Sequence, residues 1–182
     1  MYKRQLRNLS VLNTGLGGNR VLLDGSGPNA LARYTRDVLT QPGVRYVVVF
    51  EGVNDLGMST RTAKISTDEH DALVASILGA YQQMIDLAHQ RGLRIYGATI
   101  TPYIGFSFYH PDASNEADRQ KINAWIRAAG HFDAVIDFDK VVADPAEPTR
   151  LFPKFDSGDH LHPSAPGFHA MADSIPLDLF RR

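Results

Sequence analysis

The 182-residue sequence has no cysteine, which excludes disulfides, thiolate metal centres and a cysteine nucleophile. It also leaves redox compartment without a mark on the composition. No apolar run approaches the ~20 residues that cross a bilayer. Excess charge of one sign is missing too, with 19 basic against 20 acidic residues. Neither a nucleic-acid stripe, a polybasic membrane patch nor an acidic tail is therefore expected, and no nucleic-acid or membrane partner. The N-terminal MYKRQLRNLS carries basic residues with no apolar segment behind them, so no signal peptide is expected and location defaults to the cytoplasm. There is no internal repeat and no low-complexity stretch. What is present is 43% hydrophobic and 21% charged residues, the balance of an ordinary globular protein. The length fits one domain, 1–182, with one good core.

Four short β-branched or apolar runs read as strands: LSVLN (9–13), VRYVVVF (44–50), LRIYGAT (93–99) and AVIDF (134–138). VVVF is apolar on both faces, as in a covered parallel sheet. Helical patterns separate the runs. Pro28 to Leu39 puts Leu31, Tyr34 and Val38 on one face. Ser66 with Glu69 three residues on is a capping box, followed by an apolar stripe of Leu73, Ile77, Tyr81, Met84 and Ala88 that Gly92 ends. A third helix is expected from about Asn115 to Ala129, burying Ile122, Trp125 and Ile126, and a last one from Ser164 to the break at Pro176. Strands alternating with helices predict βαβ units around a parallel sheet. Residues 52–65 and 100–113 read as long loops, with a Pro-rich stretch at 145–163.

Ligands of open α/β sheets bind beyond the carboxyl ends of the strands. Three polar, Gly-rich clusters fall there: GLGGN (15–19), EGVND (51–55) and GDHLHPSAPG (158–167). In the last, Asp159 stands one turn before His162. The aspartate can accept from the imidazole Nδ1–H, fixing the tautomer and leaving Nε2 as a base. Alone, the pair reads as readily as a turn and a surface histidine before Pro163. Asn54 offers an amide donor for a developing oxyanion, although Asn-Asp is more often a turn or cap. Gly18 offers a backbone N–H where a side chain would block the approach, or simply a tight turn at positive φ. GLGGN lacks the Gly-Lys-Ser/Thr ending of a phosphate loop and the full dinucleotide spacing. His160, His162 and His169 with Asp156 and Asp159 form a weak alternative metal cluster, because the rest of the chain supplies no obvious further ligand. No metal and no cofactor is expected.

Taken together these segments resemble the SGNH (GDSL-type) hydrolases. GLGGN is similar to that family's second block with Gly18 at the glycine position. Gly52-Val53-Asn54-Asp55 matches the Gly-x-Asn-Asp block, and Asp159-His160-Leu161-His162 the Asp-x-x-His block. The run GNRVLLDGSGPNALARYTRDVL resembles the arylesterase or acylhydrolase branch found beside xylan-degrading enzymes. The likeness runs from about Leu9 onward. It implies an α/β three-layer αβα sandwich with a flavodoxin-like parallel sheet. It also implies a carboxylic-ester hydrolase acting on a small ester substrate, such as a carbohydrate acetate. His162 would be base and acid, Asp159 its orienting partner, and Gly18 and Asn54 the oxyanion hole. A degenerate relative that binds a saccharide without hydrolysis is the alternative, with Tyr103, Phe106, Phe108 and Tyr109 stacking on sugar rings.

The chain departs from the family at one place. The family's nucleophile lies in a Gly-Asp-Ser block after the first strand, and no Gly-Asp-Ser precedes GLGGN. The expectation is a chain truncated at its N-terminus relative to the family, lacking that first strand. Ser26, in Asp24-Gly25-Ser26-Gly27, is the one serine in a Gly-flanked turn near the rim; otherwise it belongs to the loop before Pro28. Losing an inner strand removes ~5 buried apolar residues at ~1.5–3 kcal/mol each, comparable with the ~5–15 kcal/mol stability of a domain. Three resolutions are open. Segment 9–13 pairs directly with 44–50, a second copy fills or covers the exposed edge as a homo-oligomer, or the chain is a fragment.

Overall fold

The structure, a computed structural model, describes residues 9–181. Three runs of β-branched and aromatic residues build its sheet: β1 (Tyr46–Val49), β2 (Arg94–Ala98) and β3 (Ala134–Ile136). All pairs are parallel, in the order β1-β2-β3, with Val47 opposite Ile95 and Gly97 opposite Val135. Parallel neighbours require crossovers, and the helices supply them. α1 (Ala30–Tyr34) starts at Asn29, whose side chain accepts from the Ala32 N–H, and continues as one π-helical turn to Leu39. α2 (Val53–Thr60) follows β1 directly. α3 (Thr67–Gln90) carries the expected Ser66/Glu69 capping box, and α4 (Ala113–Arg127) a second one on Asp112 and Asn115. α5 (Phe138–Val142) and α6 (Ala165–Ser174) complete the set, followed by a 3-10 turn at Leu177–Phe180. Among the described residues no helix is long and apolar enough to cross a membrane.

The strand period of two divides the core. Val47, Val49 and Ile95 face α1, α3 and α4, joining Tyr34, Ile77, Tyr81, Met84, Ile122 and Ile126 in one apolar cluster. Tyr96, Ala98 and Ile136 face the other way, against Phe138, Val142, Leu151 and Met171 of the α5 and α6 side. Helices therefore cover both faces of the sheet, giving the αβα layering that the resemblance implies.

Two expectations need correction. Segment 9–13 is not a strand: it is irregular, and Val11 and Leu12 are 91% and 66% exposed. It does not pair with 44–50 either, because β1 has β2 as its only partner among the described residues. Strand preference acts through cross-strand packing, and no neighbour is in place for this run. A cleft of about 300 Å³ instead separates residues 12–15 from the open edge of β1. The second correction is the 52–65 loop, half of which is α2.

Candidate functional site

Gly52 turns the chain from β1 into α2. It takes φ 113°, and a Cβ there would lie 2.8 Å from the Tyr81 hydroxyl, so only glycine fits without strain. Tyr81 itself donates to the Glu51 carbonyl at 2.6 Å and holds this corner. The turn places Asn54 and Asp55 in the first turn of α2. The buried Asp55 carboxylate accepts from the Val21 N–H at 2.8 Å and the Leu22 N–H at 3.1 Å, tying the glycine loop to the helix. Burial pushes this carboxyl up, and the two amides oppose that rise. Asn54 Nδ2 donates one hydrogen to the Asn19 carbonyl at 2.7 Å. Its second amide hydrogen has no acceptor among the described residues, the condition an oxyanion donor needs.

The glycine loop is organised by Asn19, which is 1% exposed. Its Nδ2 donates to the Pro28 and Ser26 carbonyls, and its Oδ1 accepts from Arg33 Nε at 3.0 Å and Nη2 at 2.8 Å. Gly18 precedes it at φ 73°, and a Cβ on Gly18 would stand 2.8 Å from Ser26 Oγ. The Gly18 N–H donates to nothing among the described residues. Gly18, Ser26, Asn19 and Asn54 are thus brought together by two contacts that no sequence motif signals.

Asp159 and His162 are paired as expected. His162 Nδ1 lies 2.6 Å from Asp159 Oδ2. The other carboxylate oxygen accepts from the Leu161 and His162 N–H groups and the Ser157 hydroxyl, at 2.8 to 3.1 Å. Slight burial raises the carboxyl, but these four donors outweigh it and hold Asp159 well below the usual range. An ionised carboxylate can only accept, so Nδ1 carries the proton and Nε2 keeps its lone pair. The ring is largely exposed. His160 forms a parallel pair, Nδ1 to Asp156 Oδ2 at 2.6 Å, that sequence reasoning placed in a metal cluster. Each imidazole engages its own carboxylate, and among the described residues no three such side chains converge as a metal site.

No hydrogen bond joins the imidazole to the amide donor among the described residues; two aromatic rings link them. His162 meets the edge of Phe106 with centroids 6.3 Å apart, Phe106 packs on Tyr109 at 5.0 Å, and the Tyr109 hydroxyl donates to Asn54 Oδ1 at 2.7 Å. No contact joins His162 to Ser26 among the described residues. Tyr103 and Tyr109 are 0% and 5% exposed, so neither offers a face to a sugar, and the more open Phe108 lies under Arg61 at 3.9 Å. Beside Asn54 opens a cleft of about 240 Å³ lined by Asn13, Leu16, Glu51, Val53, Ile100 and Thr101 among others.

Glu51 is the titrating group of that cleft. Burial lifts it to about 7, while Arg33 at 4.0 Å lowers it and Asp55 raises it. The folded protein holds this proton more tightly than the unfolded chain. The resulting stability is full below the ordinary value of 4.5 and is lost as pH rises through about 7. That gap corresponds to roughly 3 kcal/mol. Glu51→Gln should remove this pH dependence and stabilise the protein at pH ~8 by up to that amount. Urea unfolding of both proteins at acid and alkaline pH reads it; parallel stability curves would contradict the assignment.

Residues 1–170 match the GDSL-like lipase/acylhydrolase family. No curated protein matches the chain. Among solved structures, a GDSL-like lipase from Bacteroides thetaiotaomicron superposes with a TM-score of 0.61 at 21% identity over 79% of this chain. A candidate acylhydrolase from Bacteroides fragilis gives 0.57 at 20% over 79%. A candidate lipolytic protein of the G-D-S-L family from Desulfitobacterium hafniense gives 0.57 at 18% over 80%. The matched region covers 65%, 64% and 70% of those three chains, so this chain spans slightly under two thirds of the first two.

Proposed function

Because the chain belongs to the GDSL-like lipase/acylhydrolase family, we propose that it hydrolyses small carboxylic esters at the rim formed by Gly18, Asn54, Asp159 and His162. The observation that carries this reading is the Asp159–His162 pair, with an ionised carboxylate on Nδ1 and an open Nε2. In this reading the attacking oxygen is that of a water held by His162 Nε2. His162 Nε2 takes the water proton as its oxygen bonds to the acyl carbon. The carbonyl electrons move onto oxygen, which the Gly18 N–H and the unengaged Asn54 N–H hold. Collapse breaks the ester C–O bond, and the imidazolium returns its proton to the departing alkoxide. A carboxylic acid and an alcohol result, and the histidine is neutral again.

Two features shape the expected activity. Of the four rim residues only Asn54 lines the cleft of about 240 Å³; taken as the acyl subsite, it lies below the ~300–1,000 Å³ of ordinary ligand pockets and suits acetyl and other short acyl groups. Attack by water in place of a serine carries only ~10³–10⁴-fold acceleration over the uncatalysed reaction, so slow turnover is expected. p-Nitrophenyl acetate should be hydrolysed by the purified chain faster than the octanoate. Ser26→Ala should keep that rate, and a fluorophosphonate probe should leave the chain unlabelled. Labelling at Ser26, with loss of turnover in Ser26→Ala, would replace water by that serine as the nucleophile. Saccharide binding by calorimetry with no hydrolysis at high protein concentration would overturn the catalytic reading.

A further inference from the structure

The cleft beside β1 has the features of a strand's seat. One wall is the β1 edge, whose backbone N–H and C=O groups on that side find no partner strand among the described residues. Val47, Val49, Ala30, Val38 and Met84 supply apolar lining. Tyr34 also lines it, is 4% exposed, and its hydroxyl has no hydrogen-bond partner among the described residues. An acyl chain would cover the apolar wall and leave the strand's amides and this hydroxyl unsatisfied, each a desolvated polar group without a partner. A peptide strand satisfies both.

The same chain carries a candidate occupant. Residues 9–13, LSVLN, have strand character and no strand to join. Of the nine large apolar side chains exposed among the described residues, five lie at this place: Leu9, Val11 and Leu12 on the arm, and Val48 and Phe50 on the edge. The arm is anchored at Thr14, whose carbonyl accepts from Arg33 Nη1 at 2.6 Å. That anchor holds the arm on the far wall of its own cleft.

We propose that two copies of this chain exchange these arms, residues 9–13 of each pairing antiparallel with β1 of the other. The exchange is self-complementary, so a two-fold axis closes it as a dimer with no further growth. Antiparallel entry brings the Leu9 end of the arm to the Glu51 end of β1. It also seats the incoming segment against Asn13 and Glu51, which line both this cleft and the one beside Asn54. The partner copy thereby walls the site.

The absence of native cysteine makes the test clean. Val11→Cys and Val48→Cys proteins are mixed and oxidised with copper-phenanthroline. The proposal expects a mixed disulfide joining one chain of each kind, and a wild-type protein that sediments as a dimer at micromolar concentration. It expects Val48→Lys and Val11→Pro to sediment as monomers with an unchanged far-ultraviolet dichroism spectrum. A monomeric wild type overturns it. So does Val48→Cys linking only to itself, which would mean edge-to-edge pairing. An intrachain disulfide in the double variant, with no link between chains, would overturn it in favour of the arm filling its own cleft.

Discussion

His162→Ala is expected to lower p-nitrophenyl acetate turnover by ~10²–10⁴-fold, the usual contribution of a positioned general base. The side chain is 66% exposed and its ring meets the edge of Phe106, so its removal should leave stability unchanged within ~0.5 kcal/mol. The loss would therefore be chemical. Asp159 stays ionised throughout the range in which an imidazole titrates, because four donors stabilise its charge. Asp159→Asn should fall in the same direction, since an amide can present either its oxygen or its NH₂ to Nδ1 and no longer fixes the tautomer. Unchanged turnover in His162→Ala would mean that the observed hydrolysis arises elsewhere.

Arg119→Met is expected to lower stability by about 3 kcal/mol, the lower end of the ~3–5 kcal/mol for breaking a buried ion pair. Arg119 is 0% exposed. Its guanidinium donates to both Glu116 oxygens at 2.7 Å, to the Ile100 carbonyl at 2.7 Å and to Asp139 at 2.6 Å. These bonds tie the chain just past β2 to α4 and α5, directly beneath the cleft that Ile100 lines. Methionine restores the volume and leaves two carboxylates short of a cation. Asp139 keeps Arg127 on its other oxygen at 2.6 Å, which is why the lower figure applies. For a domain of this size the melting temperature should drop by roughly 6–12 °C. A shift under ~2 °C would show that the network adds nothing net over an apolar replacement.

Local signals in the sequence translated well. The capping box at Ser66 and the stripe behind it place α3 because both depend on residues three or four apart. The Asp159–His162 pair is legible for the same reason. What depended on distant partners was not. LSVLN has the composition of a strand, but a strand is completed by its neighbour, and β1 lies across a cleft from it. α2 was hidden because Gly52 starts it without a side-chain cap and Gly57 interrupts its pattern. Asn19 gives no motif, yet it joins Arg33, Ser26 and Pro28 around the glycine turn. The aromatic link from His162 through Phe106 and Tyr109 to Asn54 spans three loops and leaves no periodic trace.

Ester hydrolysis at this rim requires one site containing both the imidazole and the two N–H donors. Titration of the ¹⁵N-labelled protein with phenylboronate, whose tetrahedral hydroxy form imitates the water adduct, tests this directly. One binding curve should move the Gly18 amide, the Asn54 side-chain amide and the His162 ring resonances together, and His162→Ala should weaken all three. Shifts confined to His162, or to Gly18 and Asn54 alone, would place the groups in separate sites and contradict it.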